Sequence, residues 1–254
     1  LRDFPVLKVR RELSVDTGWQ KVDVWRSPSV CEFRVAGALH AWWHRERFLT
    51  GLAWDNLAAA ALLRPGGAPE SVLLLGVAGG TVLRVLRHLL PETRFTAVEI
   101  DAGIVALARR HMNLDACGAE IHIADAYSWI GQCDDRFDVV MDDCYLAGET
   151  DVYRPEKQPG RRLPDFHSLL APGGLVLTNL ITGSGHRTLQ SRTRAAYKRQ
   201  FKEVRSVTTP ESMNETLAGG DAVLGAAALD RWSDSFPHRK DREFWRRLTV
   251  RKLR

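Results

Sequence analysis

The chain has 254 residues, of which 44% are hydrophobic and 26% charged, and carries a formal net charge of +5. A chain of this size buries a full core without disulfide or metal staples, and the composition excludes a disordered, collagen-like or disulfide-scaffold protein. No apolar run approaches the ~18 residues of a membrane span; the longest, Leu57 to Leu63, stops at Arg64-Pro65. The mild positive charge permits an anionic partner without requiring one. Cys31, Cys117, Cys133 and Cys144 form no C-x-x-C pair, so reduced thiols, no metal and a cytoplasmic location are expected. No secretory signal is read, and the opening on Leu1 rather than Met leaves the native start open.

In chain order, residues 1–50 show short period-two runs: Gln20 to Trp25, Val30 to Val35 and Leu39 to Trp43, parted by Ser27-Pro28-Ser29 and Gly37. Alternation with turn residues between predicts a small antiparallel meander. A helix is expected over Leu52 to Leu63, ending at the Pro65-Gly66-Gly67 breaker. Residues 51–230 then alternate strands with helices. Val72 to Leu75 is a continuous apolar run, as in a parallel strand covered on both faces. Strands are predicted at Phe95 to Val98, Glu120 to Ala124, Phe137 to Met141 and Leu175 to Asn179, with helices over Val82 to Leu90 and Ile104 to Met112. Val204 to Thr208 and Ala222 to Ala227 are expected to close the sheet as a pair, and residues 231–254 to form a basic docked helix or tail. The pattern predicts an α/β fold: a doubly wound, mostly parallel, Rossmann-like seven-stranded sheet with a small N-terminal antiparallel β domain.

Ligands of such sheets sit outside the carboxyl ends of the strands, near the switch point. Gly76-Val77-Ala78-Gly79-Gly80 leaves the first parallel strand there, and glycines let a ligand approach the backbone at a helix N-terminus. The spacing is G-x-x-G-G, not the G-x-G-x-x-G of dinucleotide sites. Glu99 ends the next strand 19 residues after Gly80, where a carboxylate accepts from ribose hydroxyls. Asp125, before Ala126, follows the third strand within reach of an adenine amino group. Together these acids and glycines indicate an adenosine site, with Ile100 beside it.

The stretch Val72 to Asn179 resembles the class I S-adenosylmethionine-dependent methyltransferase fold, and more narrowly its spermidine-synthase-like branch. The resemblance rests on Val72 to Gly76 with Gly79 to Arg84, on Val98-Glu99-Ile100-Asp101, on Asp125-Ala126 and on Phe137 to Asp143. The strands from Trp19 to Trp43 and the helix near Trp54 stand where that branch has its β domain and connecting helix. The resemblance also implies a homodimer.

Three departures bear on function. Aminopropyltransferases carry an Asp in the glycine loop, where this chain has Gly79. Their Asp-x-x-Asp after strand four registers on Asp143 and Leu146, so the second acid is missing. Their Tyr-Gln/His pair registers on Trp54-Asp55. A polyamine needs several carboxylates, because a cation taken from water without partners costs several kcal/mol. Methyl transfer from S-adenosylmethionine to a small-molecule acceptor is therefore ranked above aminopropyl transfer from decarboxylated S-adenosylmethionine. An intramolecular cyclase or lyase reaction and nucleic-acid methylation rank lower. The basic tail is interleaved with Asp234, Asp241 and Glu243, so neither nucleic acid nor membrane is an expected partner.

Asp143 is the expected base or acceptor-orienting acid, with Asp142 and Tyr145 beside it and Trp54, Asp55 and Tyr145 toward the acceptor. Only one of Asp142 and Asp143 should face the site, since successive strand residues point to opposite sides. His40 and His44 lack a metal-ligand context, Asn179 ends strand five, and Trp42 and Trp43 suit core packing or a pocket wall.

Overall fold

The computed structural model describes residues 9–148, 152–155, 160–210 and 212–253. The first eight residues of the expected N-terminal unit and Arg254 of the tail lie outside them. Period-two alternation builds an antiparallel sheet from β1 (Arg10–Asp16), β2 (Lys21–Arg26), β3 (Val30–Val35) and β4 (Ala38–His44), in that order. Val22, Val24, Phe33 and Ala41 are buried on its inner face. Ala36 and Gly37 join β3 to β4 at φ +48 and +81, the left-handed pair that a two-residue hairpin requires. Sequence alternation gave no sign of β1, an edge strand whose residues are exposed or half-buried.

The main sheet follows through α1 (Ala53–Ala61), β5 (Ser71–Leu75), α2 (Thr81–Leu89), β6 (Arg94–Glu99), α3 (Ala102–Met112), β7 (Ala119–Ile123), α4 (Ala126–Ile130) and β8 (Phe137–Asp142). Two short strands, β9 (Leu146–Ala147) and β10 (Val152–Tyr153), pair with each other. Then come α5 (Leu163–Ser168), β11 (Leu170–Ile181), α6 (Arg187–Gln200), β12 (Glu203–Thr208), β13 (Asn214–Gly220), α7 (Arg239–Trp245) and β14 (Thr249–Lys252). The sheet order is β14-β12-β13-β11-β8-β5-β6-β7. From β11 to β7 the strands are parallel, while β13, β12 and β14 pair antiparallel.

The C-terminal part differs from expectation in three ways. The partner of β12 is β13, and Ala222 to Ala227 is instead a loop entering a 3-10 helix over Ala226–Ser235. The polar start Asn214-Glu215-Thr216 and the terminal Gly219-Gly220 hide the strand pattern of β13. The tail is not one helix: only α7 is helical in the stretch after the 3-10 turn. Residues 249–252 add an eighth strand to the expected seven by pairing with β12. The Pro172-Gly173-Gly174 turn lies inside β11 as an irregularity between Leu170 and Leu175.

Strand alternation sorts the core into two layers. Val72, Leu74, Ala97, Val139, Met141, Leu177 and Ala218 face α1, α2 and the N-terminal sheet. Leu73, Leu75, Val98, Val140, Val176 and Leu217 face the layer that holds Phe166 and Tyr197. Which layer each strand's final residue enters follows from the same parity.

Candidate active site

Continuing the first layer by twos brings Glu99 from β6, Asp143 beyond β8, Asn179 from β11 and Asn214 from β13 to one face at one edge of the sheet. Because β11, β8, β5 and β6 are neighbours, with β5 ending at Gly76, these positions form a row across the switch point. The register pairs Met141 with Leu177, so two residues later Asp143 and Asn179 are side by side. Asn179 Nδ2 donates to Asp143 Oδ1 at 2.7 Å, and Asn214 Nδ2 donates to Asn179 Oδ1 at 3.1 Å.

The glycine loop is shaped by this row. Gly76 has φ +87, and a Cβ there would stand 2.6 Å from the carbonyl oxygen of Asp143. The N–H groups of Val77 and Ala78 donate to Glu99 Oε2 at 2.8 and 2.9 Å, and Asp101 N donates to Oε1 at 3.1 Å. Glu99 thus fixes the loop while lining the cavity beside it.

Two cavities adjoin along this edge, sharing Gly76, Glu99 and Tyr145. The larger, about 310 Å³, is lined by Gly76, Val77, Ala78 and Val82 on the loop side and by Asp143, Tyr145, Asn179 and Asn214 on its floor. Leu39, His40, Leu52, Trp54 and Ile181 form its far wall. The smaller, about 70 Å³, is lined by Glu99, Ile100, Asp125, Ala126, Tyr127, Cys144 and Leu146 among others. Glu99 and Asp125 both line the smaller, mostly apolar slot. Asp125 also accepts from Ser128 N at 2.8 Å, capping α4.

Burial pushes Asp143 up to about 7, helped by the neighbouring Asp142 charge and opposed by the Asn179 hydrogen bond and by Arg154. Burial has the opposite effect on His40, lowering its pKa and disfavouring the charged ring. Tyr145 OH donates to Asn179 O at 3.0 Å and accepts from Ile181 N at 3.2 Å, so its ring is fixed against the cavity.

The remaining expected site residues lie elsewhere. Asp142 points to the opposite layer and forms a buried ion pair with Arg154, whose Nη1 also donates to Asn179 O at 3.0 Å. It lines neither cavity, as strand alternation requires. Asp55 is fully buried and accepts from the N–H groups of Thr50 and Gly51, tying the entry of α1 rather than facing an acceptor. Burial pushes it up to about 7 against those bonds. Gly79 and Gly80 turn toward protein: a Cβ on Gly79 would meet Ala41 Cβ and Met112 Sδ at 2.4 Å, and one on Gly80 would meet Leu114 at 2.3 Å. The space that a loop carboxylate would need is therefore packed by side chains. Leu146 lines the smaller cavity.

Trp54 and His40 reach the larger cavity, whereas His44 accepts backbone N–H bonds from Glu46 and Arg47, and Trp43 stacks against the Arg84 guanidinium. Sequence reading missed Asn214 because β13 was not recognised, and Arg154 because its partner is set by the chain's return after β9.

A Rossmann-like sheet with an acid-lined trough at its switch point, preceded by an antiparallel sheet, defines the class I methyltransferase-like fold in its spermidine-synthase-like branch. The chain belongs to the spermine/spermidine synthase domain family, whose description matches residues 58–207. It is similar to a probable polyamine aminopropyl transferase of Bifidobacterium longum, 29% identical over 140 residues, which is 54% of this chain and 29% of that protein. The match therefore spans less than a third of that relative's length. Among solved structures, a probable spermidine synthase from Corynebacterium glutamicum superposes with a TM-score of 0.71 at 18% identity, covering 98% of this chain and 91% of the other. Human methyltransferase-like protein 13 in complex with SAH gives 0.57 at 21% identity, covering 74% and 89%. No helix among the described residues is long and apolar enough to cross a membrane.

Proposed function

We propose that the chain transfers the aminopropyl arm of decarboxylated S-adenosylmethionine to a small amine. One observation carries this reading: Asp143, held by Asn179, lines the larger cavity together with the glycine loop, Glu99 and Trp54. Glu99, Ile100, Asp125 and Ala126 would hold the adenosine, and Val77 and Ala78 the region of the sulfonium. The donor supplies an alkyl carbon activated by positive sulfur. The amine nitrogen forms a bond to that carbon, the carbon–sulfur bond breaks with its electron pair on sulfur, and the amine proton passes to the Asp143 carboxylate. The cavity contributes alignment and Asp143 a base.

This ranking differs from the one suggested by the missing acids, because the curated relatives are named for aminopropyl transfer. Methyl transfer from S-adenosylmethionine stays as a second reading, favoured by Gly79 and Leu146 at positions where aminopropyltransferases have acids. Mixing the protein with each donor and putrescine or a simple amine, then identifying the thioether product, separates the two. Methylthioadenosine supports aminopropyl transfer, and S-adenosylhomocysteine supports methyl transfer. The same proposal includes a homodimer, which sedimentation would test.

A further inference from the structure

The far wall of the larger cavity is built for carbon rather than for charge. Leu39 from β4, Leu52 and Trp54 at the start of α1, and Ile181 from β11 supply its surface. Of the described lining residues only Glu99 and Asp143 are carboxylates. Glu99 lies on the loop side, with both oxygens accepting backbone N–H bonds. The polar groups nearest Asp143 are committed to one another. Asn179 Oδ1 accepts from Asn214, and Asn214 Oδ1 accepts from the Ser212 hydroxyl at 3.3 Å. Burial lowers the pKa of His40, the remaining titratable group described on that wall, and so disfavours its charged form. A second ammonium placed there would lose its water without gaining a counter-charge from the described lining residues. An aliphatic or aromatic body would instead bury apolar surface against Leu39, Leu52, Trp54 and Ile181. At about 310 Å³ the cavity sits at the small end of ligand pockets, which run from ~300 to ~1,000 Å³.

We propose that the acceptor is a monoamine with an apolar body, its nitrogen at Asp143 and its body against Leu39, Leu52, Trp54 and Ile181. This rests on the transfer reading given above. The reacting nitrogen loses one proton to Asp143 as its lone pair forms the new N–C bond. The displaced sulfur leaves as a neutral thioether, so charge and electrons balance without a further reactant.

The test pairs two amines of one skeleton, n-pentylamine and 1,5-diaminopentane, with phenethylamine and putrescine beside them. Release of methylthioadenosine from decarboxylated S-adenosylmethionine is followed, with S-adenosylmethionine run in parallel. Pentylamine should exceed 1,5-diaminopentane by at least tenfold in kcat/KM. Ile181→Asp, which puts a carboxylate on the apolar wall at a half-buried position, should narrow that ratio by raising use of the diamine. Equal or better use of the diamines by the wild-type protein would overturn the acceptor proposal and leave the transfer reading standing. Absence of product with every amine, from a donor that calorimetry shows to be bound, would overturn the transfer reading itself.

Discussion

Asn179 presents its Nδ2, not its Oδ1, to Asp143, and Asn214 decides that orientation by donating to Asn179 Oδ1. A donor aimed at a carboxylate favours its ionised form and so works against the burial that raises Asp143 to about 7. Turnover should therefore rise with pH through a step near 7, and Asp143→Asn should lack that step. Asn214→Asp replaces the orienting donor with an acceptor, which turns the Asn179 amide and sets a carbonyl oxygen against Asp143. The step should then move up by roughly one unit or more, the scale of a like charge close by, while Asn214→Ser moves it less. A step that stays in place in Asn214→Asp would remove Asn214 from this role.

The same raised pKa affects stability, with its sign set by linkage. Between an unfolded value of ~3.9 and a folded value of about 7, the native state keeps a proton that the unfolded state has released. Asp143 thus makes stability fall as pH rises across that window. Asp143→Asn should reduce this dependence in denaturant titrations at pH 4, 5.5 and 7, leaving the share of Asp55, which burial also pushes up to about 7.

Glu99 joins the loop to the nucleoside side of the trough. Glu99→Ala should weaken donor binding by ~1.5–3 kcal/mol, the range for hydrogen bonds to a charged group. Glu99→Gln should lose less, because its amide oxygen can still accept from Val77 or Ala78. Calorimetry with S-adenosylmethionine or methylthioadenosine reads both, and unchanged affinity in Glu99→Ala would remove the ribose role.

Much of this was legible in the sequence. The glycine turn and Asp143 follow apolar parallel strands, Glu99 ends the next one and Asp125 follows the alternating strand β7, and strand parity alone turned Asp142 away from Asp143. The parts that were not legible lie where pairing is antiparallel or the pattern is weak. β13 begins with three polar residues, so Asn214 had no visible strand to place it, and the short β14 hides in a basic tail. The packing around Gly79 was hidden for a different reason. Its neighbours Ala41 and Met112 come from other elements, β4 and α3, and only tertiary packing brings them there.

Gly79→Asp makes that packing measurable. Its Cβ would stand 2.4 Å from both Ala41 Cβ and Met112 Sδ, so overpacking should lower stability by ~1–3 kcal/mol. No gain in affinity for decarboxylated S-adenosylmethionine should accompany the loss. A stable variant that binds this donor more tightly would show that the loop can open there.

Asp142 and Arg154 form a buried pair, with side chains 2% and 3% exposed. Removing one partner strands the other, so Arg154→Met should cost ~3–5 kcal/mol. The double variant Asp142→Asn, Arg154→Met should recover much of that loss. Equal stabilities for wild type and Arg154→Met in urea unfolding would show that the pair contributes nothing.

The central claim is that Asp143 serves a displacement at the carbon attached to the sulfonium, with sulfur leaving, in the larger cavity. Its most direct test is turnover of decarboxylated S-adenosylmethionine with a primary amine by wild type and Asp143→Asn, with donor affinity measured for both. The account predicts methylthioadenosine from the wild-type protein, a fall of ~10²–10⁴-fold in the variant, and nearly equal donor binding. Equal turnover by the two proteins would contradict it.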